Sequence, residues 1–348
     1  MQTSDFNYDL PEKLIAQNPL EKRDHSRLML LNKSTGEIQH SKFNDITKFL
    51  KKNDLLVFND SKVIQAKLKG YSANIKKNIE ILLTEKIDSK NWKCLIKNSK
   101  KIPENSEIKI ALHSGKISID LKIKKKLEDG SVIIEFFDKV NLNEIGEVPL
   151  PPYIKTHLEN PQRYQTIYAK HDGSIAAPTA GLHFTENILE QISSIGVRFA
   201  FVTLHIGIGT FRPVYSKNPT KHQMHPERWQ IDQSAANKIN TAKQNGQRVI
   251  AVGTTTTRLL ENSTQESGQI LEPGSGLARN FILPGYKFKV VDGIITNFHL
   301  PKSSLFILVC AFGGYEKMKS SYQHAIKKKY RFYSYGDAMF VNLESNNL

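Results

Sequence analysis

Four histidines lie in short polar motifs next to apolar segments, and they are the side chains most suited to proton transfer near neutral pH. Imidazole changes its charge close to pH 7, so one histidine can act as a general base and another as a general acid. Each of them alone also fits a histidine that only hydrogen-bonds the backbone or lies in a surface loop. The four candidates are His183, His205, His225 and His299.

Residues 176–185 form the first of these motifs, in which alanine, glycine, proline and threonine precede His183. Small side chains let the backbone approach a ligand closely. Thr185 is suited to cap a helix that Gly196 would close, and helix N-termini favour anions. We therefore take His183 and the hydroxyl of Thr179 as candidate ligand contacts, with a tight turn as the alternative.

Residues 203–211 place His205 at the end of a predicted strand, followed by a Gly-x-Gly pair and Thr210. Gly-x-Gly after a strand resembles a dinucleotide fingerprint, but the third glycine is missing, and Phe-Arg-Pro follows where a helix should begin. The pattern therefore argues against a dinucleotide site. Ligands in open α/β sheets bind at the carboxyl ends of strands, so His205 and Thr210 remain candidates.

Two histidines and a glutamate stand close together in residues 222–227 and could bind zinc. Pro226 opposes the helix that presents ligands in the His-Glu-x-x-His motif, and no further Cys or His cluster completes a coordination shell. We therefore predict no metal site. A role for His225 and Glu227 in acid–base chemistry or in orienting a substrate is favoured, with a surface loop as the alternative.

Residues 253–258 join the end of an apolar strand to a predicted helix through a glycine, four threonines and an arginine. Hydroxyls and unpaired backbone N–H groups at a helix start can hold a carboxylate or a phosphate. The Gly-Lys-Ser/Thr ending of a P-loop is absent. A threonine-rich strand extension is the alternative, but it would leave buried hydroxyls to satisfy. The candidate contacts are Thr254, Thr255, Thr256, Thr257 and Arg258.

Two further polar segments are candidates for the same pocket. Residues 296–303 supply Thr296, Asn297 and Lys302 beside the fourth histidine. Residues 330–337 follow three consecutive lysines and interleave aromatic with polar groups, an arrangement suited to base stacking beside phosphate contacts. Ordinary core packing is the alternative for these aromatic residues. The candidates in this segment are Tyr333, Tyr335 and Asp337.

The chain has 348 residues and a formal net charge of +15. This charge favours a polyanionic partner, although a compositional drift toward Lys, Ile and Asn is the alternative. Residues 61–140 hold 18 lysines, ten acidic residues and no arginine, which suits contact with phosphates better than bidentate reading of bases. No apolar run approaches the ~20 residues of a membrane helix, and the two cysteines form neither a disulfide framework nor a zinc spacing. We expect a cytosolic monomer that does not enter a membrane.

The apolar pattern changes along the chain. Between residues 63 and 149, short period-two segments such as 92–96 are separated by turn residues, which predicts a small antiparallel β-barrel or sandwich. Residues 1–62 and 150–348 alternate strands with helices, which predicts a largely parallel sheet covered on both faces. The expected fold is therefore a discontinuous α/β (α+β) domain with an inserted β-barrel domain.

Taken together, the motifs resemble those of the S-adenosylmethionine:tRNA ribosyltransferase-isomerase family. The resemblance runs over nearly the whole chain and is weakest at about residues 70–145. The joint order of the motifs is more specific than any one of them. Besides the motifs above, it rests on residues 6–11, 23–28, 56–60, 149–153, 163–169 and 333–340.

The resemblance implies an enzyme of queuosine biosynthesis. In the family's reaction, S-adenosylmethionine gives its ribosyl part, rather than its methyl group, to 7-aminomethyl-7-deazaguanine at the wobble position of tRNA. The products are epoxyqueuosine-tRNA, adenine and methionine. The resemblance also implies that S-adenosylmethionine is a substrate and that no metal or redox cofactor takes part.

For that reaction we expect one or two of the four histidines to act as base and acid, with Glu227 orienting them. Residues 254–258 would hold the methionine carboxylate or the ribose hydroxyls, and the polar groups of residues 296–302 would line the same pocket. Tyr333 or Tyr335 would stack on the unstacked target base, and the lysine-rich barrel would hold the tRNA backbone. A conventional methyltransferase and a non-catalytic tRNA-binding protein are the alternatives.

Overall fold

The computed structural model describes residues 1–111, 118–207, 209, 213–264 and 271–342. The chain divides into two compact units. The first comprises Met1–Lys62, Pro151–His171 and Ala177–Leu348, and the second comprises Val63–Leu150 and Asp172–Ala176. The sequence pattern assigns residues 172–176 to the α/β domain, whereas in the structure they belong to the second unit. There the carbonyl of Ser174 accepts a hydrogen bond of 2.9 Å from the backbone N–H of Ile64.

The strands of the described residues are numbered in chain order. They are β1 Arg27–Asn32, β2 Ile38–Lys42, β3 Leu55–Asn59, β4 Ser61–Val63, β5 Lys67–Ser72, β6 Lys77–Lys86, β7 Asn91–Ile96, β8 Glu107–Ala111, β9 Ser118–Lys126, β10 Val132–Phe136, β11 Gly146–Glu147, β12 His171–Ser174, β13 Arg198–Leu204, β14 Glu227–Ile231, β15 Val249–Val252, β16 Gly274–Ala278, β17 Gly293–Asn297 and β18 Ala338–Asn342. The α-helices are α1 Leu142–Ile145, α2 Glu186–Ser194, α3 Gln233–Gln244, α4 Thr254–Asn262, α5 Ser304–Gly313 and α6 Tyr315–Lys327.

The first unit is built on a nine-stranded sheet in the order β16-β14-β13-β3-β15-β17-β18-β1-β2. The four central strands, β13, β3, β15 and β17, run parallel to one another. Strands β14 and β16 continue one side antiparallel, and on the other side β18 runs antiparallel to β17. The α/β prediction is confirmed, and so is the pairing of the early strand β3 with later ones. The sheet is mixed rather than largely parallel, because antiparallel strands flank its parallel centre.

The core of this unit explains why β3 is central. All five of its residues are buried, as expected for a strand with neighbours on both sides and layers on both faces. Leu56 and Phe58 pack in one cluster with Phe184, Ile250 and Ile295, and all five are fully buried. The apolar run of the sequence therefore becomes the middle of the sheet.

Local signals in the sequence set the helix ends. Thr185 begins α2 as predicted, since its hydroxyl accepts the N–H of Ile188 at 3.3 Å. Ser303 begins α5 in the same way. Helix α3 begins at Gln233, directly after Asp232. There the carboxylate of Asp232 accepts the N–H of Ala235 at 2.7 Å, and an anionic acceptor is favoured at a helix N-terminus.

The second unit is a closed antiparallel barrel. Its strands follow the order β5-β6-β7-β10-β9-β8, and a further pairing between β5 and β8 closes the ring, with β11 added beside β5. Side chains alternate between buried and exposed along β8, and inward residues such as Leu68, Ile108 and Leu121 are fully buried. The predicted barrel fold is confirmed. No helix among the described residues is long and apolar enough to cross a membrane.

Candidate active site

Polar segments gather at the carboxyl ends of the central strands in the first unit. The segment Thr179–His183 forms a short 3₁₀-helix, while Asn297 ends β17 and Gly253 lies between β15 and α4. A Cβ placed on Gly253 would lie 3.7 Å from Cβ of Ala180, so the start of α4 adjoins the His183 segment. This is the strand-end location at which ligands bind in open α/β sheets.

The imidazole of His183 is held on both nitrogens. Its Nδ1 lies 2.7 Å from the hydroxyl oxygen of Ser26, and its Nε2 lies 3.1 Å from the amide nitrogen of Asn297. Thr179 completes the chain of contacts by donating its hydroxyl to Oδ1 of Asn297 at 3.1 Å. Phe43 stacks on the ring with 5.0 Å between centroids. The structure therefore brings together three of the residues singled out in the sequence, His183, Asn297 and Thr179.

These contacts fix the protonation of His183. The amide nitrogen of Asn297 is a donor, so Nε2 of His183 accepts and the ring proton lies on Nδ1. Burial lowers the pKa of His183 to about 4, so the ring is neutral at pH 7. Nδ1–H then donates to Ser26, whose own hydroxyl proton is left for another acceptor.

A cavity that is open to solvent lies beside this histidine, and we call it the His183 cavity. It is lined by Pro19, Leu20, Arg23, Ser26, Arg163, Leu182, His183, Ser334, Tyr335 and Gly336. Two of these side chains are cationic and none is acidic. The cavity thus has a net positive lining around a neutral histidine.

The four threonines of α4 divide into two pairs. The hydroxyls of Thr256 and Thr257 donate to the carbonyls of Val252 and Gly253, four residues earlier, at 2.7 and 3.1 Å. They are buried in the helix and are occupied by the backbone, so the prediction that all four form a ligand cradle is corrected for these two.

Thr254 and Thr255 instead line a second cavity, which we call the Arg258 cavity. Its lining is Met224, Thr254, Thr255, Arg258, Phe281, Ile282, Ser304, Leu305 and Leu308. The cavity therefore combines two hydroxyls at the start of α4 and one guanidinium with apolar side chains from α5.

Arg258 and Glu227 form a buried ion pair, with side chains 6% and 3% exposed. Burial lowers the pKa of Arg258 to about 10, so the guanidinium remains protonated at pH 7. Oε1 of Glu227 also accepts the backbone N–H of Gly207 at 2.9 Å. Glu227 thus holds Arg258 and the glycine segment after β13, a role that the sequence could not reveal because its partner is 31 residues away.

His205 and His225 lie on the two segments that Glu227 connects. The backbone N–H of His205, just past β13, donates to the carbonyl of Arg228 at 2.9 Å. His225 is exposed, and a Cβ on Gly209 would lie 2.8 Å from its ring, so a glycine is needed there for the close approach. Thr210 lies outside the described residues. His225 is next to Met224, a residue that lines the Arg258 cavity.

His299 is a core residue in this structure. Its Nε2 lies 2.8 Å from the hydroxyl oxygen of Thr296, and its backbone N–H donates to the hydroxyl of Tyr322. Burial lowers the pKa of His299 to about 3. Neither His299 nor the exposed Lys302 lines the His183 cavity or the Arg258 cavity, so their predicted place in the substrate pocket stays a prediction.

The C-terminal candidates are also packed inside the fold. Tyr333 and Tyr335 are each 5% exposed and contact Tyr153 and Tyr164, so neither ring presents a face for stacking on a base. The carboxylate of Asp337 accepts the backbone N–H groups of Arg27 and Arg331 at 2.9 and 2.8 Å. It therefore holds the backbone, and this replaces the predicted substrate contact. Tyr335 alone of the three lines the His183 cavity.

Three residues of the His183 cavity, Ser26, Arg23 and Arg163, lie outside the motifs that predicted site residues. Their only signal was that they stand in the segments 23–28 and 163–169, which carry the family resemblance. Within the described residues, no group of three or more His, Cys, Asp and Glu side chains is arranged to hold a metal ion.

Comparisons with known proteins agree over the whole chain. The model of the family described as Queuosine biosynthesis protein matches residues 3–341. Proteins named S-adenosylmethionine:tRNA ribosyltransferase-isomerase from Acetivibrio thermocellus and Thermoanaerobacter sp. are 47% and 49% identical over 346 residues, which is 98% of this chain and 100% of each relative. The crystal structure of S-adenosylmethionine tRNA ribosyltransferase from Thermotoga maritima is 34% identical with a TM-score of 0.55, covering 97% of this chain and 100% of that one. The chain therefore belongs to the S-adenosylmethionine:tRNA ribosyltransferase-isomerase family of queuosine biosynthesis proteins.

Proposed function

We propose that the Arg258 cavity and the His183 cavity are the two halves of the active site in which this chain performs its family's reaction. The enzyme transfers and isomerises the ribosyl moiety of S-adenosylmethionine onto 7-aminomethyl-7-deazaguanine at the tRNA wobble position. Adenine and methionine are released. The observation that supports this site is the closeness of the segments that lead into the two cavities: a Cβ on Gly253, next to Thr254, would lie 3.7 Å from Cβ of Ala180 in the His183 segment.

S-adenosylmethionine binds in the Arg258 cavity in this proposal. Its carboxylate needs a cation and hydrogen-bond donors, which Arg258, the hydroxyls of Thr254 and Thr255, and the start of α4 supply. Its ammonium group needs an acceptor, and Glu227 is the acidic side chain beside Arg258. Leu305 and Leu308 give the methylene groups of its methionine part an apolar wall.

The reaction requires two proton transfers. The sulfonium makes the neighbouring 5′ carbon acidic, so a base can remove a proton there, and adenine leaves more easily when an acid protonates it. Burial lowers the pKa of both His183 and His299. Both ring nitrogens of His183 already contact other side chains, and His299 is buried. We assign the acid and base roles to His205 and His225, which lie on the segments joined by Glu227, and a positioning role to His183.

Replacing His205 or His225 by alanine is expected to lower turnover at least ~100-fold, because a positioned acid or base contributes ~10²–10⁴-fold. The measurement is release of free adenine from S-adenosylmethionine in the presence of tRNA carrying the 7-deazaguanine precursor. The exposed His157, changed to alanine, is the control. If neither replacement reduces turnover by that factor, the assignment is wrong. If adenosylhomocysteine forms instead of adenine, the chain is a methyltransferase and the proposed reaction fails.

We also propose a cofactor requirement, a partner and an oligomeric state for the enzyme. The sulfonium of S-adenosylmethionine supplies the activation, so the reaction as proposed uses no metal or redox cofactor. The partner is a tRNA with the precursor base at the wobble position, and the enzyme acts as a cytoplasmic monomer. The target base must leave the anticodon stack to reach the strand ends, as bases do in enzymes that modify them.

We also propose that the lysine-rich barrel contacts the tRNA backbone. Each phosphate contact adds about 0.7–0.9 to the slope of log affinity against log salt. Changing the exposed Lys100 and Lys101 to glutamine is therefore expected to reduce that slope by roughly 1.5–2. Lys93 is the matched control, because its ammonium is already paired with Asp129 at 2.7 Å. A slope that is nearly flat in the unaltered protein would remove the proposed contact.

A further inference from the structure

The His183 cavity carries positive charge that no acidic side chain neutralises. Arg23 and Arg163 line it, and no carboxylate of the described residues pairs with either guanidinium. Instead, Arg23 donates to the carbonyls of Gln162 and Gln165 at 2.9 and 2.7 Å. Arg163 donates to the carbonyls of Leu20 and Glu21. The two segments thus hold each other's arginines, so both cations are fixed before any ligand binds.

Both arginines have N–H groups left that can donate hydrogen bonds to a ligand. A guanidinium has five N–H groups, and the carbonyl contacts of each arginine use one on each terminal nitrogen. The carbonyls satisfy hydrogen bonds without cancelling the charge. The two guanidinium groups are close enough to interact, because the pKa of Arg23 is lowered first by burial and then by the charge of Arg163. Two fixed cations at one wall attract an anion that can bridge them.

Tyr335 adds a donor that has no partner in the protein. The residue is 5% exposed, and its hydroxyl is buried without a hydrogen-bond partner. Such an atom normally costs stability, so an unpaired hydroxyl in a cavity wall indicates a ligand. Burial raises the pKa of Tyr335 to about 12, while Arg163 and Arg23 act in the opposite direction. The hydroxyl therefore stays protonated near the two cations.

Ser26 is a donor to the cavity for a different reason. Its oxygen accepts Nδ1–H of His183, as the contact between Nε2 and the amide nitrogen of Asn297 requires. The hydroxyl proton of Ser26 is then free to point to a ligand. Serine, tyrosine and both arginines thus offer donors to one space, and a ligand that accepts from all of them is an oxyanion.

We propose that the His183 cavity binds a backbone phosphate of the tRNA next to the nucleotide that is modified. Arg23 and Arg163 bind its charge, and the hydroxyls of Tyr335 and Ser26 complete its hydrogen bonds. The phosphate position fixes the tRNA so that the unstacked base lies at the strand ends. This inference rests on the proposed function, since it places the tRNA at one half of the proposed active site.

The other oxyanion of the reaction is the carboxylate of S-adenosylmethionine. That carboxylate is two bonds from an ammonium group, which needs an acidic or carbonyl acceptor. The His183 cavity has no acidic residue in its lining, whereas Glu227 lies beside Arg258 at the other cavity. A phosphodiester carries no ammonium group of its own and so needs no acidic residue beside it. The lining of the His183 cavity, which is cationic and has no acidic residue, therefore favours the phosphate.

The test is the change Tyr335→Phe, which removes only the unpaired hydroxyl. The dissociation constant for tRNA carrying 7-aminomethyl-7-deazaguanine is measured without S-adenosylmethionine, and KM for S-adenosylmethionine is measured separately. We expect tRNA binding to weaken roughly 10–100-fold, as for one lost hydrogen bond to a charged group, and KM for S-adenosylmethionine to change less than ~2-fold. The thermal midpoint should stay or rise, because a buried unpaired group is removed.

Tyr168→Phe is the matched control. The hydroxyl of Tyr168 is also buried without a partner, but the residue does not line the cavity, so tRNA affinity should be unchanged. As a second variant, Arg163→Gln should lower the salt slope of tRNA binding by about one. The proposal is overturned if Tyr335→Phe and Arg163→Gln both leave tRNA affinity unaltered. It is also overturned if they raise KM for S-adenosylmethionine instead. Because tRNA binding is measured without turnover, this result is separate from whether adenine is released.

Discussion

Replacement of Arg258 by methionine is expected to destabilise the protein by roughly 3–5 kcal/mol, the usual cost of removing one partner from a buried ion pair. Glu227 would keep its charge in a site where it is 3% exposed. The change Glu227→Gln should cost a similar amount for the mirror-image reason. Urea unfolding at pH 7, read from the transition midpoint at constant slope, measures both.

The double variant is the informative control for this pair. With Arg258→Met and Glu227→Gln together, no charge remains buried, so the loss should be well below the sum of the two single losses. Lys243→Met tests an ordinary pair, because Lys243 and Asp292 are 2.8 Å apart with both side chains more than 20% exposed. It should cost no more than about 1 kcal/mol. Equal losses for Arg258→Met and Lys243→Met would contradict the buried ion pair.

The same double variant separates stability from binding. If it folds, the proposed carboxylate contact of Arg258 is still absent, so KM for S-adenosylmethionine is expected to rise roughly 100-fold, which corresponds to ~2.7 kcal/mol. tRNA affinity should be unaffected, since Arg258 does not line the His183 cavity. A normal KM in a folded double variant would exclude Arg258 as the carboxylate partner.

Lowering the pH from 6.5 to 4 is expected to destabilise the protein through two buried histidines. Burial lowers the pKa of His183 to about 4 and that of His299 to about 3, against an ordinary value of 6.5. The unfolded chain binds these protons below pH 6.5, while the folded protein does not. The contribution of the two neutral histidines to the free energy of unfolding is therefore fully present above pH 6.5. It is lost as the pH falls toward their pKa values in the folded protein, at roughly 1.4 kcal/mol per pH unit for each histidine.

The prediction is checked by urea unfolding at several pH values. His183→Gln and His299→Gln should each reduce the slope of unfolding free energy between about pH 4.5 and 6 by roughly 1.4 kcal/mol per pH unit. His157→Gln removes an exposed histidine and should leave that slope unchanged. If the slope is the same in all three variants, the two histidines are protonated in the folded protein and the burial argument fails.

Much of the fold could be predicted because its signals are local. The period-two alternation of the barrel strands, the apolar run that became β3, and the caps at Thr185 and Ser303 each depend on residues a few positions apart. The mixed character of the sheet is not local. It depends on β18 lying between β17 and β1, and no pattern within β18 specifies those neighbours.

The candidate site divides in the same way. The sequence located the polar segments at strand ends, and His183, Asn297 and Thr179 do meet there. It could not tell which side of a segment faces a cavity, so Thr256 and Thr257 were grouped with Thr254 and Thr255. Helical geometry decides this, since hydroxyls of threonines within a helix can bond to carbonyls one turn back.

The pairing of β1 with β18 has a consequence for synthesis of the protein. Leu28 lies opposite Ala338, so β1 waits for a neighbour that is made about 310 residues later, on the order of 15–60 s at ordinary elongation rates. The barrel strands all lie between Lys67 and Glu147, so that unit is complete on the ribosome much sooner. In the interval, β1 can pair only with β2, because β18 is the strand that joins these two to the rest of the sheet. The nascent chain is therefore expected to depend on chaperones until its last strand emerges.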